Sequence, residues 1–157
     1  MQTHTMKTWL RGGGAVVRAV LQTSVLVLPL LMSTGAHADD SLYRTFGGQP
    51  GLVKIIDDLY VNLLADPRTA PYFENAPIRR IKQKIGEQFC VLLGGPCTYT
   101  GRSMKRSHEG DNIDRAAFDA MIENLQKAMD KNGVPFHAQN ELLAKLAPMY
   151  RDIQDRE

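Results

Sequence analysis

One histidine, His108, stands in the charged stretch YTGRSMKRSHEGDNI at positions 99–113. A neutral imidazole can ligate a metal, move a proton, or sit in solvent. Few other residues compete with it for chemistry. The chain has four histidines, His4, His37, His108 and His137, and two cysteines, Cys90 and Cys97. It contains no H-E-x-x-H and no C-x-x-C, so a protein-built zinc site has little to draw on. C-x-x-C-H is also absent, so no haem is attached through that motif. His137, in GVPFH, stands at a predicted helix start, where a surface or capping role is the ordinary reading. By residue type alone, a lone histidine in a charged segment is more often solvated than ligating, and both readings of His108 stay open at this point.

The amino-terminal stretch narrows the field further. Residues 1–38 carry Lys7, Arg11 and Arg18 and no acid, then the apolar run AVLQTSVLVLPLLMSTGAHA. A basic start, a short apolar middle and an A-x-A ending are the layout of a cleaved secretory signal peptide. The run is interrupted by Pro29 and falls short of the roughly 20 apolar residues of a bilayer span. An uncleaved anchor is the alternative. The expectation is a leader over 1–38, a mature domain over 39–157, export, and a periplasmic location, with no stable membrane span after cleavage. Removing the leader turns a formal charge of +2 into 16 basic against 17 acidic residues. Bulk charge therefore gives no case for nucleic-acid binding. Only His108 and His137 remain among the histidines. Export also implies an oxidising compartment, where the Gly94-Gly95-Pro96 turn can bring Cys90 and Cys97 together. A disulfide and a pair of buried thiols both remain open, because sequence does not fix their separation.

The elements that must position these residues read as helices. Leu52, Ile55, Ile56, Leu59 and Leu63 recur at helical spacing over 51–65. Asp66-Pro67 ends that helix, and 67–73 is a connector with room for one turn. Pro77 suits the first turn of a helix carrying Ile78, Ile81, Ile85, Phe89, Leu92 and Leu93, which stops at Gly94. Asp114 is an N-cap for 115–131, with Phe118, Met121, Ile122, Leu125 and Met129 on one face. Gly133 stops it. Pro135 opens a last helix through Leu142, Leu143, Leu146, Met149, Tyr150 and Ile153, in which Pro148 predicts a break. The fold class is all-α, with four substantial helices and several short ones. The 17-residue connection 97–113 fits a plain bundle poorly. It holds Gly101 and Gly110, Arg102, Lys105 and Arg106 ahead of His108, and few apolar side chains. A weakly structured connection of that length in a compact domain is usually functional or disordered.

Three blocks carry a resemblance. LYRTFGG (42–48), LYVNLLADPRTAPYF (59–73) and LLGGPCTYTGRSMKRSHEG (92–110) occur in the order seen in truncated haemoglobins. The G-G-P, Y-x-G and M-x-x-x-H spacings resemble the first, compact group of that family. The likeness runs from 41 to about 153. It implies a two-over-two helical sandwich around a non-covalent haem b, with His108 as the proximal iron ligand. Such a ligand needs a neutral imidazole on a segment free to lie beside the porphyrin, which would account for the long connection.

On the distal side the resemblance assigns Tyr60 as a hydrogen-bond donor to bound O2, with a core tyrosine bonded to backbone as the rival. It places Phe73 on the haem face. Many members of the group carry inward glutamines where this chain has Ile81 and Ile85, while Gln83 and Gln88 lie off that stripe. The expected distal pocket is therefore Tyr60 with apolar walls. Lys84 is a candidate partner for a haem propionate. Phe89, Tyr99, Met104, Ile113, Phe118, Leu125 and Leu146 are candidate walls, with ordinary core packing as the rival for each.

The resemblance implies reversible binding of O2, and of NO and CO, as carriage or sensing. The alternative is a nitric oxide dioxygenase or a peroxidase-like enzyme. No flavin- or nucleotide-binding motif is present, so that activity would need a partner reductase.

Overall fold

The computed structural model describes residues 40–154. The leader expected over 1–38 lies outside them. Eight α-helices follow in order among the described residues: α1 (Ser41–Thr45), α2 (Gly48–Ala65), α3 (Ala70–Phe73), α4 (Ile78–Leu92), α5 (Met104–Ser107), α6 (Arg115–Lys131), α7 (Phe136–Leu146) and α8 (Tyr150–Ile153), with a 3₁₀ turn at Ala147–Met149 before α8. No strand occurs among them. None of these helices is long and apolar enough to cross a membrane.

Local chemistry sets the boundaries. α2 begins three residues before the apolar stripe predicts, because Pro50 sits in its first turn, where a missing N–H leaves nothing unpaired. It ends at Asp66, held extended at φ −95°, ψ 115° by the proline that follows. The Thr69 hydroxyl then donates to the Leu63 carbonyl (2.7 Å), one of the carbonyls a helix end leaves without a partner. The connector supplies α3, the single turn for which it has room. Asp114 caps α6 by accepting from the Ala117 N–H (2.7 Å). The last helix breaks where Pro148 requires, giving α7, the 3₁₀ turn and α8.

α2 packs on α4, α6 packs on α7, and α2–α6 and α4–α7 contacts join the two pairs. This is a two-over-two sandwich. Leu52, Ile55, Leu59 and Leu63 of α2 meet Phe89 and Leu93, Leu125 and Met129, and Leu142 in one core. Burying each such side chain contributes roughly 1.5–3 kcal/mol. A polar tie fastens the end of α2 to α6. Asp66 accepts from the Arg68 N–H and guanidinium and from Asn124, and Arg68 reaches Glu123 as well. Arg68 first, then Asn124, hold the Asp66 carboxyl well below the usual range.

Cys90 and Cys97 are joined as a disulfide, with Cα atoms 5.9 Å apart. The turn between them needs glycine at 95. A Cβ there would lie 2.6 Å from Cys90 Sγ and 2.8 Å from the Tyr43 ring.

Candidate functional site

A cavity of about 620 Å³ opens between α4, the segment after the disulfide, α5, α6 and the carboxy-terminal turn. Clefts that take a cofactor-sized ligand span roughly 300–1,000 Å³. Ile81, Ile85 and Gln88, at spacings of four and three, present one stripe of α4 to it, with Phe89 beside them. Phe73 comes from α3. Tyr99 comes from the irregular segment, and Met104 and His108 from α5 and its end. Ile113, Phe118 and Leu146 also line it.

His108 occupies the C-cap of α5. Ser103 starts that turn by accepting from the Arg106 N–H. The imidazole Nδ1 lies 2.8 Å from the Met104 carbonyl. A carbonyl only accepts, so Nδ1 carries a proton, and in the neutral imidazole Nε2 keeps the lone pair. Metal-ligating histidines are oriented in the same way, by donating their other ring N–H to a carbonyl. Beyond it, Gly110 (φ 86°) and Asn112 (φ 54°) take left-handed conformations that turn the chain toward α6; asparagine is among the few non-glycine residues that do so readily.

The mouth of the cavity is polar. Lys84 Nζ donates to both oxygens of Glu87 (2.9 Å each) and to the Thr100 hydroxyl. Thr100 donates to Glu87 from its backbone N–H (2.9 Å) and its hydroxyl (2.8 Å). Lys84 first, then Thr100, hold the Glu87 carboxyl down to about 2. Lys84 lines the cavity as expected, yet it already has a carboxylate partner. Any cofactor carboxylate there competes with Glu87. Arg80 and Arg102 also line this rim. Tyr-x-Gly has a steric reason: the Tyr99 ring lies over Gly101, where a Cβ would collide with it, and its hydroxyl donates to the Arg102 carbonyl (2.8 Å).

Two expected site residues, the candidate wall Leu125 and the candidate distal donor Tyr60, do not line this cavity. Leu125 is fully buried in the core, because the α6 stripe runs on past the cavity. Tyr60 stands behind Phe73 rather than in the cavity wall. Its hydroxyl donates to the Phe73 carbonyl (2.9 Å), its ring meets the Phe73 ring edge-on at 5.8 Å, and Lys82 lies over it at 5.1 Å. A buried hydroxyl takes the acceptor within reach, since leaving it unpaired is costly. Burial pushes the Tyr60 phenol above its ordinary value, and Lys82 opposes that.

The glutamines separate. Gln83 is exposed and donates to Glu87 (2.9 Å). Gln88 lines the cavity, its amide nitrogen 3.4 Å from Met104 Sδ and 3.3 Å from Met149 Sδ. Thioethers are weak acceptors. Its place three residues after Ile85 is the signal that finds it. Met121, Ile122, Met149 and Ile153 line the cavity too; each lies on a stripe visible in the sequence, which does not tell cavity wall from core. His137 is exposed, 3.3 Å from Glu141.

A slot of this volume with mostly apolar walls, a basic mouth and one imidazole with a free lone pair fits a haem.

The comparisons point the same way. The family described as "Bacterial-like globin" matches residues 41–155. The group 1 truncated haemoglobin GlbN of Mycolicibacterium paratuberculosis is 34% identical over 72% of this chain and 83% of its own. A group 1 truncated haemoglobin of Tetrahymena thermophila is 33% identical over 60% and 78%. The crystal structure of the Tetrahymena pyriformis truncated haemoglobin, Fe(III) form, superposes with a TM-score of 0.70 at 29% identity, covering 73% of this chain and 98% of that one. The 2/2 haemoglobin of a Synechococcus, in the cyanomet state with covalently attached haem, gives 0.68 at 26%, covering 73% and 98%.

Proposed function

This chain belongs to the bacterial-like globins and, within them, to the group 1 truncated haemoglobins, and from that membership we propose that it binds O2 reversibly, with NO and CO as further ligands, at a haem iron held by His108. Haem b, held here without a covalent link, would supply an iron that binds a diatomic gas, with His108 as the residue that would hold it. The observation that carries the residue assignment is the Nδ1 donation from His108, which lines the cavity, to the Met104 carbonyl, leaving Nε2 of the neutral ring as the free base. Phe73, Ile81 and Ile85 exclude water from the opposite wall. We assign the polar contact there to Tyr60, whose hydroxyl reaches a gas molecule by exchanging the Phe73 carbonyl for it.

Gas binding ranks ahead of nitric oxide dioxygenation or peroxidation. The chain has no flavin- or nucleotide-binding motif, so an oxidative cycle would draw its electrons from a partner reductase. The proposed setting is the periplasm, after removal of 1–38. The test is absorption spectroscopy of the exported protein. The expected results are a Soret band that responds to O2 and CO, an amino terminus at Asp39, and loss of the band in His108→Ala. An intact ferrous spectrum in His108→Ala would remove the histidine from the iron.

A further inference from the structure

The wall of the cavity between Leu93 and Met104 contains no helix. Over 98–102, every side-chain hydrogen bond that leaves the segment ends on α4, at Lys84 or Glu87. The disulfide adds the other fastening, from Cys97 to Cys90. The two fastenings fall in antiparallel register: Cys97 lies opposite Cys90, and Thr100 opposite Glu87, one turn back along the helix. Tyr99, Thr100, Gly101 and Arg102 line the cavity directly, and the chain then runs into α5 and His108. So one covalent and one hydrogen-bonded anchor, both on α4, hold a segment without regular structure against the cofactor slot.

We propose that the Cys90–Cys97 bridge is a thiol-reducible latch on this cavity. Closed, it holds the 97–103 segment on α4 and retains the haem; opened, it leaves the Glu87–Thr100 contact as the remaining anchor and speeds haem loss. The reductant is a dithiol. The sulfur–sulfur bond breaks, Cys90 and Cys97 each end with one hydrogen, and the dithiol closes to its own disulfide, a transfer of two electrons and two protons. Cys97 is half-buried and Cys90 fully buried, so the dithiol approaches from the Cys97 side. The inference rests on the haem reading of the cavity.

The experiment compares oxidised holoprotein, the same protein reduced by a dithiol, and Cys90→Ala/Cys97→Ala. Haem transfer to excess apomyoglobin and the rate of tryptic cleavage after Arg102 are followed well below the melting temperature. Leu142→Ala, buried in α7 away from the cavity, controls for lost stability. Opening the latch should speed haem transfer roughly tenfold or more relative to that control, since a second tethered anchor multiplies retention, and should speed cleavage after the already exposed Arg102 by freeing the backbone around it. Thr100→Ala should accelerate transfer more in the reduced than in the oxidised protein. Haem transfer from the reduced form no faster than from the control, or an unchanged Arg102 cut, overturns the latch. If the double variant fails to fold, reversible reduction of the unmodified chain decides. The absence of a Soret band in the oxidised protein would overturn the haem reading, and the tryptic cut would then decide the latch by itself.

Discussion

α2 and the 97–113 segment are nearly equal in length and opposite in construction. Helix α2 buries Leu52, Ile55, Ile56, Leu59, Tyr60 and Leu63, and its carboxy-terminal end is closed by Thr69 and by the Asp66–Arg68–Asn124 tie. No residue from 97 to 113 is fully buried. Yet that segment carries His108, Tyr99 and Met104 into the cavity, while α2 sends none of its residues there. The frame is made by burial. The chemistry is placed where local stability is low and the backbone can be aimed. A segment with so little buried surface needs discrete fastenings, among them the disulfide, the Glu87–Thr100 contact and the Ser103 cap.

The contrast breaks most visibly at Leu59, which is fully buried at the centre of α2. Leu59→Ala should cost roughly 2–5 kcal/mol in urea unfolding, while the folded fraction keeps its Soret maximum. A loss below about 1 kcal/mol, or a shifted maximum with full stability, would mean that α2 is not the frame.

How much was legible follows the same division. Helices announced by a stripe and a punctuating residue, such as α6 with Asp114 and α4 ending at Gly94, lie where periodicity puts them. Proline chemistry also located the break at 148. Tyr60 and Leu125 were harder, because a stripe identifies the inward face of a helix but not what fills the space it faces. Leu125 and Phe118 share one stripe, and only packing sends one to the core and the other to the cavity. The acceptor that engages the Tyr60 hydroxyl is a backbone carbonyl 13 residues away, which side-chain spacing does not reveal. The partnership of Lys84 with Glu87 and Thr100 depends on the path of an irregular segment, which has no periodicity to read.

A smaller effect is expected at Tyr60, the one α2 residue proposed to act in the cavity. Tyr60→Phe removes the hydrogen bond to the Phe73 carbonyl and should cost about 1 kcal/mol of stability. If the hydroxyl exchanges that carbonyl for the gas, the O2 dissociation rate rises as well. A stability loss with an unchanged rate would leave Tyr60 wholly in the frame and make the division between the two regions complete.

The finest distinction is one of pH. Asp66 ties the frame and Glu87 ties the segment, and both carboxyls titrate below their ordinary range when folded. For such a group the unfolded chain binds more protons as pH falls, so its stabilisation is full above the ordinary carboxylate pKa and disappears as pH drops through the folded one. For Glu87 that window runs from the ordinary glutamate value of about 4.3 down to about 2. Gln at 87 cannot titrate. Glu87→Gln should therefore melt below the unmodified protein at neutral pH, and the gap should close as pH falls through the window. Asp66 is present in both proteins, so the difference isolates the segment. Haem retention at neutral pH should fall in Glu87→Gln, whereas Asp66→Asn should lower the melting temperature with little change in retention. A gap that stays constant with pH, or equal haem loss in the two variants, would show that the segment is held by something other than its carboxylate anchor.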